Sequence, residues 1–86
     1  MIWSDRFKRE VRVTSHAQER GLERKVSMET IMTVLETGTV KSKDEARAWI
    51  FKDCPGRNDN PVCLAVSLER KVIVKTVMVH WTLMED

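Results

Sequence analysis

The chain has 86 residues, of which 42% are hydrophobic and 33% charged, and its formal net charge is +2. This length predicts a single domain over residues 1–86 and excludes large catalytic scaffolds such as barrels and doubly wound sheets. No segment approaches the ~18 apolar residues of a membrane span, and cations interrupt residues 1–13, so we expect a cytoplasmic protein with no signal peptide and no membrane partner.

The N-terminal segment, residues 1–13, follows no single pattern and is interpreted as a short strand or a loosely ordered arm. Charged and apolar residues alternate over 9–13, which favours a short edge strand there. The first 26 residues carry seven cations and four anions, so the positive excess of the chain lies at this end. Such an excess is typical of a solvated surface or of a surface that faces phosphate groups.

Two helices are expected next. Thr14 or Ser15 is a suitable N-cap for a helix over residues 16–25. Ser27 is expected to begin a second helix, which Gly38 ends. The second helix has the apolar spacing of an amphipathic helix, with Met28, Ile31, Met32 and Leu35 at i, i+3, i+4 and i+7.

Four strands are expected after the helices. The first begins at Val40, and the others cover residues 46–52, 62–68 and 71–81, with a turn-rich loop over 54–61. The last strand is richest in β-branched residues and is expected at the centre of the sheet. The fold class is therefore α+β, with two N-terminal helices followed by a four-stranded antiparallel sheet.

Three side chains of the first predicted helix point to phosphate chemistry. His16, Arg20 and Arg24 recur at i, i+4 and i+8, which keeps them near one face. Histidine exchanges protons near neutral pH, and the planar guanidinium of arginine holds phosphate oxygens. Glu19 and Glu23 lie beside them, so a surface helix of mixed charge is the alternative interpretation.

The last strand and the long loop add further candidates. Simple alternation places Val72, Val74, Thr76, Met78 and His80 on one face, and Ile73, Lys75, Val77, Val79 and Trp81 on the other. Lys75 is a cation among apolar neighbours, so it either extends to solvent at an edge or lines a site. Thr76 and His80 are site candidates or ordinary strand residues, and the loop residue Arg57 is a candidate phosphate contact.

The two cysteines favour a structural role. Cys54 and Cys63 have neither the spacing of a zinc module nor a close histidine pair beside them. We therefore expect no metal site and no cofactor, with both thiols reduced and Cys63 a small core residue.

The segment Thr14-Ser15-His16-Ala17, followed by Arg20 and Arg24 and by a closing Val74–Val77 strand, resembles a small bacterial family. Members of that family carry a domain of unknown function with an HAxxRxxxR opening, and the resemblance covers about residues 11–80. The family is similar to the ribonuclease-toxin fold shared by barnase, EndoU, colicin D and the RelE-type toxins. The expected architecture of helices followed by a sheet is similar to that fold.

The resemblance implies metal-independent cleavage of RNA. The residues that it assigns to catalysis are His16, Arg20, Arg24, Lys75 and Thr76, with Arg57 and His80 as substrate-binding residues. His16 is the expected acid or base. A toxin of this kind also implies a neutralising protein partner, usually an acidic antitoxin.

A non-enzymatic role is the alternative. The same basic surface suits a module that binds nucleic acid or protein, such as a phage or plasmid accessory protein, because a fold does not fix a function. The residues alone therefore leave open whether the chain is an enzyme.

Overall fold

The two helices lie in the middle of the chain, with two strands before them and four strands after them. A computed structural model describes residues 2–82. Its elements are β1 (Ile2–Ser4), β2 (Arg9–Val13), α1 (Ser15–Glu23), α2 (Met28–Thr37), β3 (Thr39–Ser42), β4 (Arg47–Lys52), β5 (Val62–Leu68) and β6 (Val72–Met78). Within residues 2–82, neither helix has the length and apolar character needed to cross a membrane.

All six strands form one sheet in the order β1-β2-β6-β5-β4-β3. Strands β3 to β6 are antiparallel neighbours, and β1 and β2 form an antiparallel hairpin. Strand β2 pairs with β6 in parallel, with Val11 opposite Val72 and Val13 opposite Val74. The expectation of two N-terminal helices before a four-stranded antiparallel sheet is therefore wrong, although β6 does lie near the centre of the sheet as expected.

The alternation over residues 9–13 predicted the second strand of the N-terminal hairpin, although at an edge of the sheet. The first strand was not predicted, because polar and charged residues make its contacts. Ser4 is fully buried, and its hydroxyl donates a hydrogen bond of 2.7 Å to the Glu36 carboxylate on α2. The Asp5 amide donates to the same carboxylate at 2.6 Å. The Arg6 guanidinium donates to the carbonyl oxygens of Leu35 and Gly38, which lie at the C-terminal end of α2. These contacts fix the hairpin onto the second helix.

The predicted helix starts are confirmed by their caps. Thr14 accepts a hydrogen bond of 3.1 Å from the Ala17 amide, and Ser27 accepts one of 3.1 Å from the Thr30 amide. These bonds satisfy amides that have no acceptor within the first turn of a helix. Helix α1 is shorter than expected, since it ends at Glu23.

The sheet curves around α2. The C-terminal end of this helix contacts β1 through Glu36 and reaches β4 through Gly38, and these two strands are first and fifth in the sheet. The core lies between the helices and the face of the sheet that they cover, called here the helix face. Its buried residues include Val13, Ala17, Ile31, Val34, Leu35, Ile50, Leu64, Val74 and Val77.

A β-bulge in β6 changes the direction of its side chains. Ala65 pairs with Thr76 while the next residue, Val66, pairs with Val74, which leaves Lys75 as the extra residue. Val74 and Val77 are therefore both buried in the core, three positions apart. The predicted alternation is wrong beyond Val74, because a bulge moves every later side chain to the other face.

The opposite side of the sheet, called here the open face, has no described helix against it. The register of the strands places on this face Trp3, Arg12, Lys41, Arg47, Trp49, Phe51, Cys63, Ala65, Ser67, Ile73, Thr76 and Met78.

Gly38 offers a test of the contact between α2 and β4. An added Cβ would lie 2.6 Å from the Val34 oxygen and 2.8 Å from the Phe51 oxygen, both backbone atoms. We expect Gly38→Ala to lower the free energy of unfolding by about 1–3 kcal/mol, measured by urea denaturation. The control is Gly56→Asn, because Gly56 has open space around its Cβ position and Asn tolerates its φ of 80° better than other residues. Equal stability of the two variants would contradict the close approach.

Candidate functional site

Thr14 holds the beginning of α1 against the bulge of β6. Its amide donates to the Val74 oxygen at 3.1 Å, and its hydroxyl donates to the Lys75 oxygen at 3.2 Å. The same hydroxyl oxygen accepts the capping bond from α1. His16 is two residues further along, so the structure brings two of the predicted site residues, His16 and Lys75, to the same end of α1.

The side of α1 that carries His16 and Arg20 faces away from α2. Ala17 and Gly21 form the buried side of the helix. Gln18 and Leu22 line a shallow pocket together with residues of α2, so they mark the side next to that helix. Because successive residues are 100° apart around a helix, His16 and Arg20 lie on the other side of the buried stripe.

The edge of β6 near α1 lacks a strand partner beyond Val74. Strand β2 ends at Val13, which pairs with Val74, so among residues 2–82 only β5 pairs with the remainder of β6. Lys75 lies at this edge and is exposed, as is His16. The group formed by His16, Arg20 and Lys75 is called here the cationic edge.

Acidic neighbours reduce the charge of this helix side. Arg20 donates to the Glu23 carboxylate at 2.6 Å, and Arg24 lies 3.8 Å from the same carboxylate. Arg24 is the C-cap residue of α1, and eight residues separate it from His16, or about 12 Å along a helix. The three predicted side chains therefore share one side of α1 but do not meet at one point.

Arg57 caps the end of α1. Its guanidinium donates to the carbonyl oxygens of Arg24 and Lys25, each at 2.9 Å, and to both carboxylate oxygens of Asp59 at 2.8 and 2.7 Å. Four of its five N–H donors are thereby engaged. The predicted contact of Arg57 with phosphate remains untested, and we do not include this residue in the cationic edge.

Asp59 and His80 lie at the same end of the molecule as Arg57. The Asp59 carbonyl accepts a hydrogen bond of 2.7 Å from the His80 amide. The hydrogen bonds from Arg57 lower the pKa of the Asp59 carboxyl below its ordinary value, and His80 adds a smaller effect in the same direction. His80 therefore belongs to the region around the C-terminal end of α1, and its predicted role with substrate also remains untested.

Thr76 faces the open side of the sheet rather than α1. It pairs with Ala65, which in turn pairs with Trp49, so these three residues form a row across the open face. Lys75, the bulge residue of the cationic edge, directly precedes Thr76 and so adjoins this row. Lys75 therefore lies at the edge of β6 near α1, whereas Thr76 lies on the open face.

The sequence interpretation overlooked an aromatic group on the open face. The ring centroids of Phe51 and Trp81 are 4.8 Å apart, and those of Trp49 and Trp81 are 5.8 Å apart. The signal was present in residues 47–51, where Trp49 and Phe51 alternate with buried Ala48 and Ile50. This group is called here the aromatic group.

The cysteines are free and buried. Burial raises the pKa of the Cys63 thiol to about 12, so it is protonated at neutral pH and is not a thiolate nucleophile. Within the described range 2–82, no group of three His, Cys, Asp or Glu side chains is arranged to hold a metal ion.

Comparison with protein families identifies the chain. A family model described as a domain of unknown function (DUF4258) matches residues 13–79. The chain belongs to this family. The matched part of this DUF4258 domain begins at the last residue of β2 and includes both helices, the cationic edge and the row through Thr76. No curated protein and no solved structure matches the chain.

The capping role of Arg57 predicts a loss of stability on its removal. Arg57→Ala should lower the free energy of unfolding by about 1–3 kcal/mol, because two helix-end carbonyls and one carboxylate lose their donors. Urea denaturation followed by circular dichroism measures this change. Arg70→Ala removes an exposed cation between β5 and β6 and should change stability by less than about 0.5 kcal/mol. Similar stability of the two variants would be evidence against the cap.

The Arg57–Asp59 pair also predicts a dependence of stability on pH. The pKa of Asp59 is lowered from 3.8 in the folded chain, so its contribution is present above that value and disappears as the pH falls through the folded pKa. Asp59→Asn should therefore lose less stability than the wild type between about pH 5 and pH 2. Asp44 and Glu10 have lowered pKa values in both proteins, so the difference between the two denaturation series isolates Asp59. Parallel series would refute the linkage.

Proposed function

We propose that this DUF4258 domain binds RNA at the cationic edge and cleaves it without a metal ion. The observation that carries the proposal is the pair of hydrogen bonds from Thr14 to β6, at 3.1 and 3.2 Å, which hold the first turn of α1, where His16 lies, against the backbone of Val74 and Lys75. The similarity to ribonuclease toxins that the family with the HAxxRxxxR opening implies supports RNA as the substrate.

The cationic edge has three features that suit a phosphate group. Lys75 supplies an exposed positive charge, and Arg20 supplies a guanidinium that can hold two phosphate oxygens. The N-terminus of α1, where His16 lies, has first-turn amides and a helix dipole that favour an anion. These groups come from α1 and from β6, so the site depends on the tertiary fold.

The proposed reaction is an internal transesterification. The 2′-oxygen of a ribose forms a bond to the adjacent phosphorus, and the bond from phosphorus to the 5′-oxygen breaks. His16 removes the proton of the 2′-hydroxyl or delivers a proton to the departing 5′-oxygen, and water completes the other transfer. Lys75 and Arg20 stabilise the negative charge that develops on the phosphorane oxygens.

The test compares cleavage of a single-stranded RNA in EDTA by the wild type and by His16→Ala, Lys75→Ala and Arg70→Ala. We expect His16→Ala to lower the rate at saturating RNA by about 100-fold or more, because proton transfer loses its side chain. Lys75→Ala should weaken RNA binding, and Arg70→Ala, the matched cation control, should behave as the wild type. The product should carry a 2′,3′-cyclic phosphate, and a 2′-O-methyl RNA should remain uncut.

Three other outcomes of this experiment would contradict part or all of the proposal. Undiminished cleavage by a folded His16→Ala variant would remove His16 from the mechanism. Salt-dependent binding without cleavage would favour the alternative of a non-enzymatic RNA-binding module. The absence of both cleavage and binding would refute the proposal and leave a protein partner, such as an acidic antitoxin, as the next candidate.

A further inference from the structure

The aromatic group lies on the side of the sheet that the helices do not cover. Trp49 and Phe51 belong to the open face of β4, and the buried helix-face residues alternate with them. All three rings of the group are only partly buried. A contiguous exposed apolar surface on a small protein commonly marks an interaction site.

Two separate chain segments build the aromatic group. Trp49 and Phe51 are held by the sheet, while Trp81 follows β6 and reaches the open face after a turn at His80. His80 has a φ of 51°, and the Trp81 amide donates to the Pro61 oxygen at 3.3 Å. The turn and this hydrogen bond fix the backbone that brings Trp81 to the open face.

Cations surround the ring of Trp49. Lys41 pairs directly with Trp49 across β3 and β4. The Lys43 ammonium lies over the Trp49 ring, 5.6 Å from its centre, and Lys43 is itself exposed, so a base that stacks on this side of the ring displaces only a solvent-exposed side chain. No ion pair among residues 2–82 involves Lys41 or Lys43, whereas Arg47 is paired with Asp44.

This combination of flat rings and cations matches a single-stranded nucleic acid. Unpaired bases stack on aromatic side chains, and nearby lysines contact the phosphates between them. A second copy of the chain is a poorer occupant, because a two-fold contact centred on Trp49 would bring the lysines of both copies close together. An acidic peptide would satisfy the cations, but only a nucleic acid carries a flat base on every phosphate-bearing unit of its backbone.

We infer that Trp49 stacks on a base of single-stranded RNA, with Lys41 and Lys43 contacting the adjacent phosphates. The row from Thr76 through Ala65 to Trp49 crosses two strand spacings, or about 10 Å, and begins beside Lys75. One RNA strand can therefore run from the cationic edge onto the open face. The choice of RNA rests on the proposed function, and the stacking surface deepens it by defining how the same substrate is held.

Binding is measured separately from cleavage with a fluorescein-labelled 2′-O-methyl oligouridine, which lacks the attacking hydroxyl. Fluorescence anisotropy should show that Trp49→Leu weakens binding about 5- to 100-fold. The matched control is Trp3→Leu, because Trp3 is also on the open face and is 51% exposed but lies on β1, four strand positions from β4. Trp3→Leu should bind as the wild type. Urea denaturation of both variants verifies that they are folded.

The cations provide a second test that does not alter the aromatic group. Lys41→Ala and Lys43→Ala should each weaken binding and reduce the slope of log affinity against log salt by about 0.7, as expected for one phosphate contact to a single strand. Arg70→Ala should leave the slope unchanged. A double-stranded RNA of equal length should bind less tightly, because its bases are already stacked.

Several results would overturn the inference. One is equal loss of binding in Trp49→Leu and Trp3→Leu, and another is no loss in a folded Trp49→Leu variant. Concentration-dependent dimerisation that Trp49→Leu abolishes would assign the open face to a second copy instead. Failure of the proposed cleavage alone is distinguishable from these results. In that case no natural RNA is cut, but binding to the uncleavable oligonucleotide still depends on Trp49.

Discussion

The parallel pairing of β2 with β6 is the constraint on which the rest of the structure depends. Val11 opposite Val72 and Val13 opposite Val74 join the N-terminal hairpin to the remainder of the sheet. The pairing stops where the chain turns into α1, so Thr14 reaches the bulge of β6 and α1 lies over that strand. The contact between the beginning of α1 and the backbone of Lys75, and the uncovered edge of β6, both follow from where β2 ends.

Patterns in the sequence were sufficient to predict the helix starts and strands that depend on residues close together in the chain. The caps at Thr14 and Ser27 and the strand at 62–68 were predicted correctly, because capping spacing and β-branched composition act over a few residues. The pairing of β2 with β6 joins residues 61 positions apart, as the bond from Thr14 to Lys75 shows. Nothing local indicates such a partner: the alternation over residues 9–13 predicted a strand, but at an edge of the sheet rather than beside β6.

The sequence indicated candidate residues for the site but not how the fold arranges them. Helical spacing selected His16, Arg20 and Arg24, which lie on one side of α1. Lys75 was selected as a cation among apolar residues and Arg57 as a loop cation. The donors of Arg57 cap α1, and its contact with phosphate stays a prediction. The bulge at Lys75 has no signature in a run of β-branched residues, so the face of Thr76 was assigned wrongly. The aromatic group depended on Trp81, which reaches the sheet only through the turn at His80.

The central position of β6 has a consequence for synthesis of the chain. Strand β6 leaves the ribosome after the other five described strands, yet it separates β2 from β5 in the finished sheet. Until residues 72–78 emerge, the hairpin and the meander each present a strand edge without its partner. The nascent chain therefore has two unpaired strand edges, and β6 pairs with both of them. Because β6 is synthesised late, folding depends on non-local contacts, and strands can be exchanged between neighbouring chains.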